Sequence, residues 1–261
     1  MRGGSSGVVD GRPYRLFGSE VRFGLTGGWR WAIIHSFSFF RRQEFCLVEQ
    51  AIAKAGALIE AMEYIRDFRG RIVVVKLGGS VLDDPGLQKD LLQDVAFMST
   101  VGMRPVIVHG GGKAITRAMN AAGLDPVRVQ GRRYTDERTL RIVEHTLVHK
   151  VNTPICEALA GFDCEAMALH SLSSCVLTAE MLRLAGEDGR KIDVGFVGRV
   201  TAVNGKLIRK LCEDQTIPVI ASVAQTAGGD KLNVNADSAA GKVAAELQAE
   251  KLVVVSDTHG I

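Results

Sequence analysis

Four stretches of this sequence are apolar without alternation: "RIVVVKL" (71–77), "RPVIVHG" (104–110), "IPVIASV" (217–223) and "KLVVVSD" (251–257). A strand with one wet face alternates apolar and polar residues, so unbroken runs of this length describe strands covered on both sides. Such strands pair in parallel, and a parallel pair needs a crossover long enough to hold a helix. The intervening segments supply it: Leu87, Leu91, Val95 and Met98, then Ile115, Met119 and Ala122, recur at helical steps. The expected fold is therefore α/β, a three-layer αβα sandwich around a mainly parallel central sheet.

The rest of the chain divides by composition. Both Trp, six of the ten Phe and seven Arg against three acids fall in residues 1–45, with Gly-rich spacing that has neither helical nor strand period. That segment is expected to be a poorly ordered extension. From residue 46 to 70, Val48, Ile52, Ala55, Ile59, Met62 and Ile65 form one apolar stripe on a helix. Its partner surface is either its own sheet or another subunit. Net charge is only +3 and the excess lies in the extension, so the body offers no electrostatic case for nucleic acid. "WAIIHSFSFF" (31–40) is too short to span a bilayer. Five scattered cysteines without a C-x-x-C pair fit reduced thiols in a cytoplasmic protein.

Ligands of open α/β sheets sit outside the carboxyl ends of the strands. Three glycine-rich features fall at such ends: "KLGGS" (76–80), "HGGGK" (109–113) and "TAGGDKLNVNAD" (226–237). Glycine lets backbone N–H groups approach an anion, and a helix N-terminus behind it adds a favourable dipole. Any one of them alone is equally a tight turn; together, with Lys76 at a strand tip, they read as a phosphate or carboxylate site. The spacing matches neither a Walker loop nor a dinucleotide fingerprint. Thr135 is expected to cap a long helix with Asp136 and Glu137 in its first turn. His145 and His149 lie four apart on that helix, but no third metal ligand is evident.

"VVVKLGGS", "PVIVHGGGKAI", "GRRYTDERTLRIVEHTLVHKVN" and "KLNVNADSAA" resemble the ordered motifs of the N-acetyl-L-glutamate kinases, within the amino acid kinase superfamily. The resemblance runs from about residue 47 to 261. It implies transfer of the ATP γ-phosphoryl group, with Mg2+, to the side-chain carboxylate of N-acetyl-L-glutamate. By the same resemblance Lys76 stabilises the transferring group and Asp237 orients the catalytic lysines. Gly78 and Gly79 are then phosphate-binding, and Gly111, Gly112, Arg133 and Asn233 substrate-binding. Lys113 and Arg132 read as solvated charges. A homodimer is implied, extended to a hexamer where the helix of 46–70 interlaces dimers.

The resemblance also assigns residues 71–248 to a substrate lobe and 249–261 to the start of a nucleotide lobe whose remainder the family carries beyond this point. On that reading the fold is truncated and the last strand has an unpaired edge. Two alternatives to an active kinase follow: a non-catalytic acetylglutamate-binding or regulatory remnant, and a nonfunctional shortened product.

Overall fold

A computed structural model describes residues 15–16, 19–20, 52–57, 59–185 and 191–256. The chain divides into two compact units, Met1–Glu60 and Ala61–Ile261. In the first, Arg15–Leu16 and Ser19–Glu20 pair as a two-residue antiparallel hairpin. The rest of the expected extension, and residues 46–51 and 58 of the expected helix, lie outside the described residues. Residues 52–57 and 59–60 are helical in the first unit, and residues 61–68 are helical in the second. Ile52, Ile59 and Met62 are more than half exposed.

The second unit is built on a five-stranded parallel sheet. In chain order its strands are β1 (Ile72–Leu77), β2 (Arg104–His109), β5 (Ala166–Leu169), β10 (Ile217–Ala221) and β13 (Lys251–Val255). They lie side by side in the order β13-β1-β2-β10-β5. The four continuous apolar runs are four of these five strands, and all neighbours pair in parallel.

Alternate residues of each strand serve opposite faces. Val73, Val75, Leu77 and Ile107 pack with Leu92 and Val95 of α2 (Pro85–Thr100) and with Ile155 and Leu159 of α5 (Thr153–Ala160). Val74, Val106, Val108 and Ile220 pack instead with Ile208 of α6 (Gly205–Glu213) and with Ala239, Ala240 and Val243 of α7 (Ala236–Leu247). Helices thus cover both faces, the three layers the unbroken runs require. The small residues of α7 let it lie close to β1. Leu87, expected in the buried stripe of α2, is instead exposed, and Leu92 and Ala96 take its place beside Val95. Asp84 begins that helix, accepting from the amides of Gly86 and Leu87, with Pro85 at its first position.

Two further helices approach the carboxyl edge: a single turn, α1 (Gly79–Asp83), and α3 (Gly112–Ala121). A small hairpin, β3 (Arg128–Val129) and β4 (Arg132–Arg133), follows them. Gln130 and Gly131, both at positive φ, form its turn. The minor strands β7 (Leu184–Ala185) and β8 (Lys191–Ile192) pair with one another. Beyond the main sheet, β6 (Leu177–Met181), β9 (Val197–Val203), β11 (Val223–Gln225) and β12 (Lys231–Val234) close into a four-stranded barrel.

The long helix begins one residue later than expected. Asp136 caps α4 (Glu137–His145), its carboxylate accepting from the Thr139 amide at 2.7 Å, and that hydrogen bond holds the acid's pKa down. Thr135 is fully buried and gives its hydroxyl proton to the Arg133 carbonyl. After His145 the helix widens into a π-helical segment, Thr146–Asn152, before α5 resumes the α form. No helix among the described residues is long and apolar enough to cross a membrane.

Candidate active site

The three glycine features meet at the carboxyl ends of β1 and β2. Lys76, on the α7 side of β1, reaches the first turn of α7, where its Nζ lies 2.8 Å from Asp237 Oδ1. A methyl group on Gly79 would stand 3.6 Å from the Lys113 nitrogen and 3.7 Å from that of Gly112, so the N-termini of α1 and α3 face one another. One on Gly110 would stand 3.2 Å from Ala236 Cβ. Strand tips and helix N-termini therefore converge on one cleft of about 230 Å³.

Each glycine is there for a different reason. Gly78 donates its N–H to Val255 O at 2.9 Å, and a Cβ would come within 2.7 Å of that oxygen. Its amide is thus committed to β13 rather than turned to an anion, which narrows the phosphate-facing assignment to Gly79. A Cβ on Gly111 would meet Leu147 Cδ2 at 2.7 Å and Val151 Cγ2 at 3.4 Å, because the π-helical segment presses on the loop. Gly112 faces open space.

Arg133 is buried and held on three sides. Its Nη2 donates to Gly112 O at 3.0 Å and Thr116 Oγ1 at 2.8 Å, and Nη1 lies 3.0 Å from Met119 Sδ. Burial and the neighbouring positive charge of Arg128 lower its pKa, yet a guanidinium titrates so far above neutrality that it stays charged. Asn233 donates from Nδ2 to Thr135 Oγ1 at 3.2 Å, fixing the amide at the cleft wall. Asn235 caps α7, its Oδ1 accepting from the Ser238 amide at 2.8 Å. All eight residues expected at the site line or back this one cleft.

Sequence reasoning missed two cations. Arg128 lies opposite Arg133 in the β3–β4 hairpin and, with Arg132, lines the cleft. Arg132, read from sequence as solvated, is half-buried there. The signal for Arg128 was the Gln-Gly turn two residues on, which folds it back against Arg133. Lys76, Arg128, Arg132 and Arg133 thus face a cleft whose one acid among the described residues is Asp237. Among the described residues no three His, Cys, Asp or Glu side chains could hold a metal, and His145 and His149 merely lie ring against ring at 4.9 Å.

Residues 71–261 match the model of the amino acid kinase family. The chain belongs to the amino acid kinase family. Among curated members, the acetylglutamate kinase of Symbiobacterium thermophilum is 38% identical over 214 residues, which is 82% of this chain and 73% of that one. Among solved structures of the family's fold, smu.665 from Streptococcus mutans superposes with a TM-score of 0.64 at 32% identity, covering 72% of this chain and 73% of that one. The N-acetylglutamate synthase of Neisseria gonorrhoeae, solved with coenzyme A and N-acetylglutamate, gives a TM-score of 0.69 at 27% identity over 79% of this chain and 46% of that one.

Proposed function

We propose that the chain transfers the γ-phosphoryl group of ATP to the side-chain carboxylate of N-acetyl-L-glutamate, giving N-acetyl-L-glutamyl 5-phosphate for L-arginine biosynthesis. The single observation that carries this reading is the Lys76–Asp237 pair, 2.8 Å apart, at the junction of the glycine loops.

The chemistry explains why the cleft is cationic. A glutamyl carboxylate is already ionised at neutral pH, so it needs no general base to become a nucleophile. The obstacle is instead repulsion between one anion and another, together with charge that spreads over the transferring oxygens. A carboxylate oxygen attacks Pγ, the bond from Pγ to the β–γ bridging oxygen breaks, and ADP leaves with that electron pair. Lys76 meets the charge of the group in flight, and Asp237 fixes where its ammonium stands. The Gly79 amide and the α1 dipole lie beside it. Arg133, supported by Arg128, receives the α-carboxylate, a role suited to a planar fork, while the Gly111 and Gly112 amides and Asn233 hold the rest of the substrate.

Mg2+ belongs on the ATP phosphates. The cleft's carboxylate, Asp237, is engaged by Lys76, and a cation that keeps most of its waters is commonly carried by the nucleotide. We place the substrate site within residues 71–248 and the reaction in the cytoplasm, where ATP is supplied; four cysteines, Cys156, Cys164, Cys175 and Cys212, are free thiols. We also read the exposed apolar residues of 52–68, Ile52, Ile59 and Met62, as a contact between copies of the chain, joining homodimers into a hexamer.

The deciding measurement is ADP release by the purified chain in a coupled assay, with and without N-acetyl-L-glutamate, beside Lys76→Ala. Acetylglutamate-dependent release that the variant loses supports the reading. Calorimetric binding of acetylglutamate without turnover would make the chain a binding module instead, and equal rates in both proteins would remove Lys76 from the chemistry.

A further inference from the structure

His109 stands at the carboxyl tip of β2 immediately before the three glycines, yet it is fully buried and has no part in the cleft. Its Nδ1 lies 3.1 Å from Gly110 O, and its Nε2 lies 2.8 Å from Asn152 Nδ2. Asn152, also fully buried, is the last residue of the π-helical segment. Its Nδ2 also donates to Val219 O at 2.9 Å, and its Oδ1 lies 3.8 Å from the Cys156 thiol.

These partners leave one arrangement of protons. Turning the Asn152 amide would set its oxygen against the Val219 carbonyl, so Nδ2 must face both Val219 and His109. The ring nitrogen it faces must then accept, so the proton of a neutral His109 sits on Nδ1, where Gly110 O receives it. Burial disfavours the imidazolium in any case. The same π-helical segment presses Leu147 and Val151 against Gly111. Its back is secured too: Thr153 Oγ1 donates to Val148 O at 3.1 Å. π-Helical insertions recur at functional sites because they re-aim side chains that a regular helix would turn elsewhere.

We propose that His109 and Asn152 are a positioning pair. Asn152 fixes the Nδ1–H tautomer of His109, that proton fixes the Gly110 carbonyl, and the following amides of Gly111 and Gly112 are thereby aimed at the substrate. The proposal deepens the kinase reading and rests on it for the identity of the substrate, N-acetyl-L-glutamate. Neither residue touches substrate; both act through the loop.

Nitrogen-15 NMR of the histidine rings in the full chain at pH 7 tests the pair without any reaction. A pyrrole-like Nδ1 and a pyridine-like Nε2 at His109 are expected, and an Nε2–H tautomer or an imidazolium overturns the proposal. The second arm is Asn152→Asp, close in shape, whose carboxylate calls for a proton on Nε2. It should flip the tautomer and raise the KM for N-acetyl-L-glutamate about tenfold, leaving the KM for ATP within twofold, as a misaimed loop requires. Asn152→Leu, which removes the hydrogen bonds without adding charge, should raise the same KM. Unchanged acetylglutamate kinetics in whichever variant folds would refute the positioning role. Should the unmutated chain neither bind nor phosphorylate acetylglutamate, the kinase reading fails, while the ring spectrum still judges the pair.

Discussion

Lys76 and Asp237 are joined at 2.8 Å across the gap between the tip of β1 and the first turn of α7, and the two ends of the bridge differ in exposure. The lysine side chain is 10% exposed and the aspartate 59%, so the ammonium is held in place while the carboxylate stays wet. Lys76→Ala is expected to lower kcat by a factor on the order of 10²–10³, the usual loss for one preorganised charge at a transition state. Asp237→Asn keeps the shape and should lower kcat less, with little change in melting temperature because its partner oxygen is already solvated. Steady-state kinetics of the two variants check the order; a larger loss for Asp237→Asn would reverse the assigned roles.

Arg133 has more to do than receive a carboxylate. Its bonds to Gly112 O and Thr116 Oγ1 also tie the hairpin to the start of α3. Hydrogen bonds to a charged group are worth about 1.5–3 kcal/mol each, so Arg133→Ala should lower stability as well as weaken acetylglutamate binding. Denaturant titration and calorimetry of the same variant separate the two, and unaltered affinity would remove Arg133 from the substrate site.

The glycines should respond in a set order. Gly195, at φ +69, would drive a Cβ into the Thr135 carbonyl, so Gly195→Ala is expected to be the most damaging to folding. Gly78→Ala and Gly111→Ala each force a shift, the first against backbone and the second against a leucine methyl that can move; overpacking of this kind costs about 1–3 kcal/mol. Gly112→Ala meets nothing and should fold normally while its methyl group intrudes on substrate. Melting temperatures and acetylglutamate KM values across the four variants test the series.

Burial lowers the pKa of His109 from 6.5 to about 4. Between those values the unfolded chain binds a proton that the folded protein refuses, so stability is full above about pH 6.5 and falls as pH drops toward 4. Across that window the loss from this one ring is about 3 kcal/mol. Burial also lowers the pKa of His170, which adds a slope of the same sign. Stability measured against pH in the unmutated protein and in His109→Gln isolates the first contribution; identical slopes would contradict it.

The role of the exposed apolar residues Ile59 and Met62 in assembly can be tested without truncation. Ile59 and Met62 are 67% and 57% exposed, so Ile59→Asp combined with Met62→Asp should leave the fold intact and lower the oligomeric mass in light scattering. An unchanged mass would refute the stripe's role in assembly.

The main sheet was legible because burial on both faces leaves an unmistakable run such as "IVVVKL". The convergence of Lys76, Gly79, Gly112 and Asp237 was legible for a related reason: all four sit at strand ends or helix starts. The barrel was not. Its strands mix buried and exposed residues, as in Leu177–Met181, and close on partners distant in sequence. Nor was the commitment of the Gly78 amide, which depends on Val255 arriving alongside, or the cap at Asp136, which differs from Thr135 only in which side chain reaches Thr139. The role of Asn152 was hidden most completely. An asparagine within a helix gives no sign that the hydrogen-bond pattern has widened around it.

That widening has an angular consequence. Each residue of a regular helix advances its facing by about 100°, so a helix that gains a residue by widening is out of phase with its own beginning. α4 and α5 therefore look in different directions although the chain between them never leaves a helix. Deleting one residue from 146–152 would let the segment relax to an α-helix with α5 nearly in its present facing, whereas winding all of 146–152 as regular α-helix would rotate everything on one side of it. Asn152 would swing away from His109, and Leu147 and Val151 from Gly111. The register of one helix, counted in single residues, thus sets the aim of a loop on another strand.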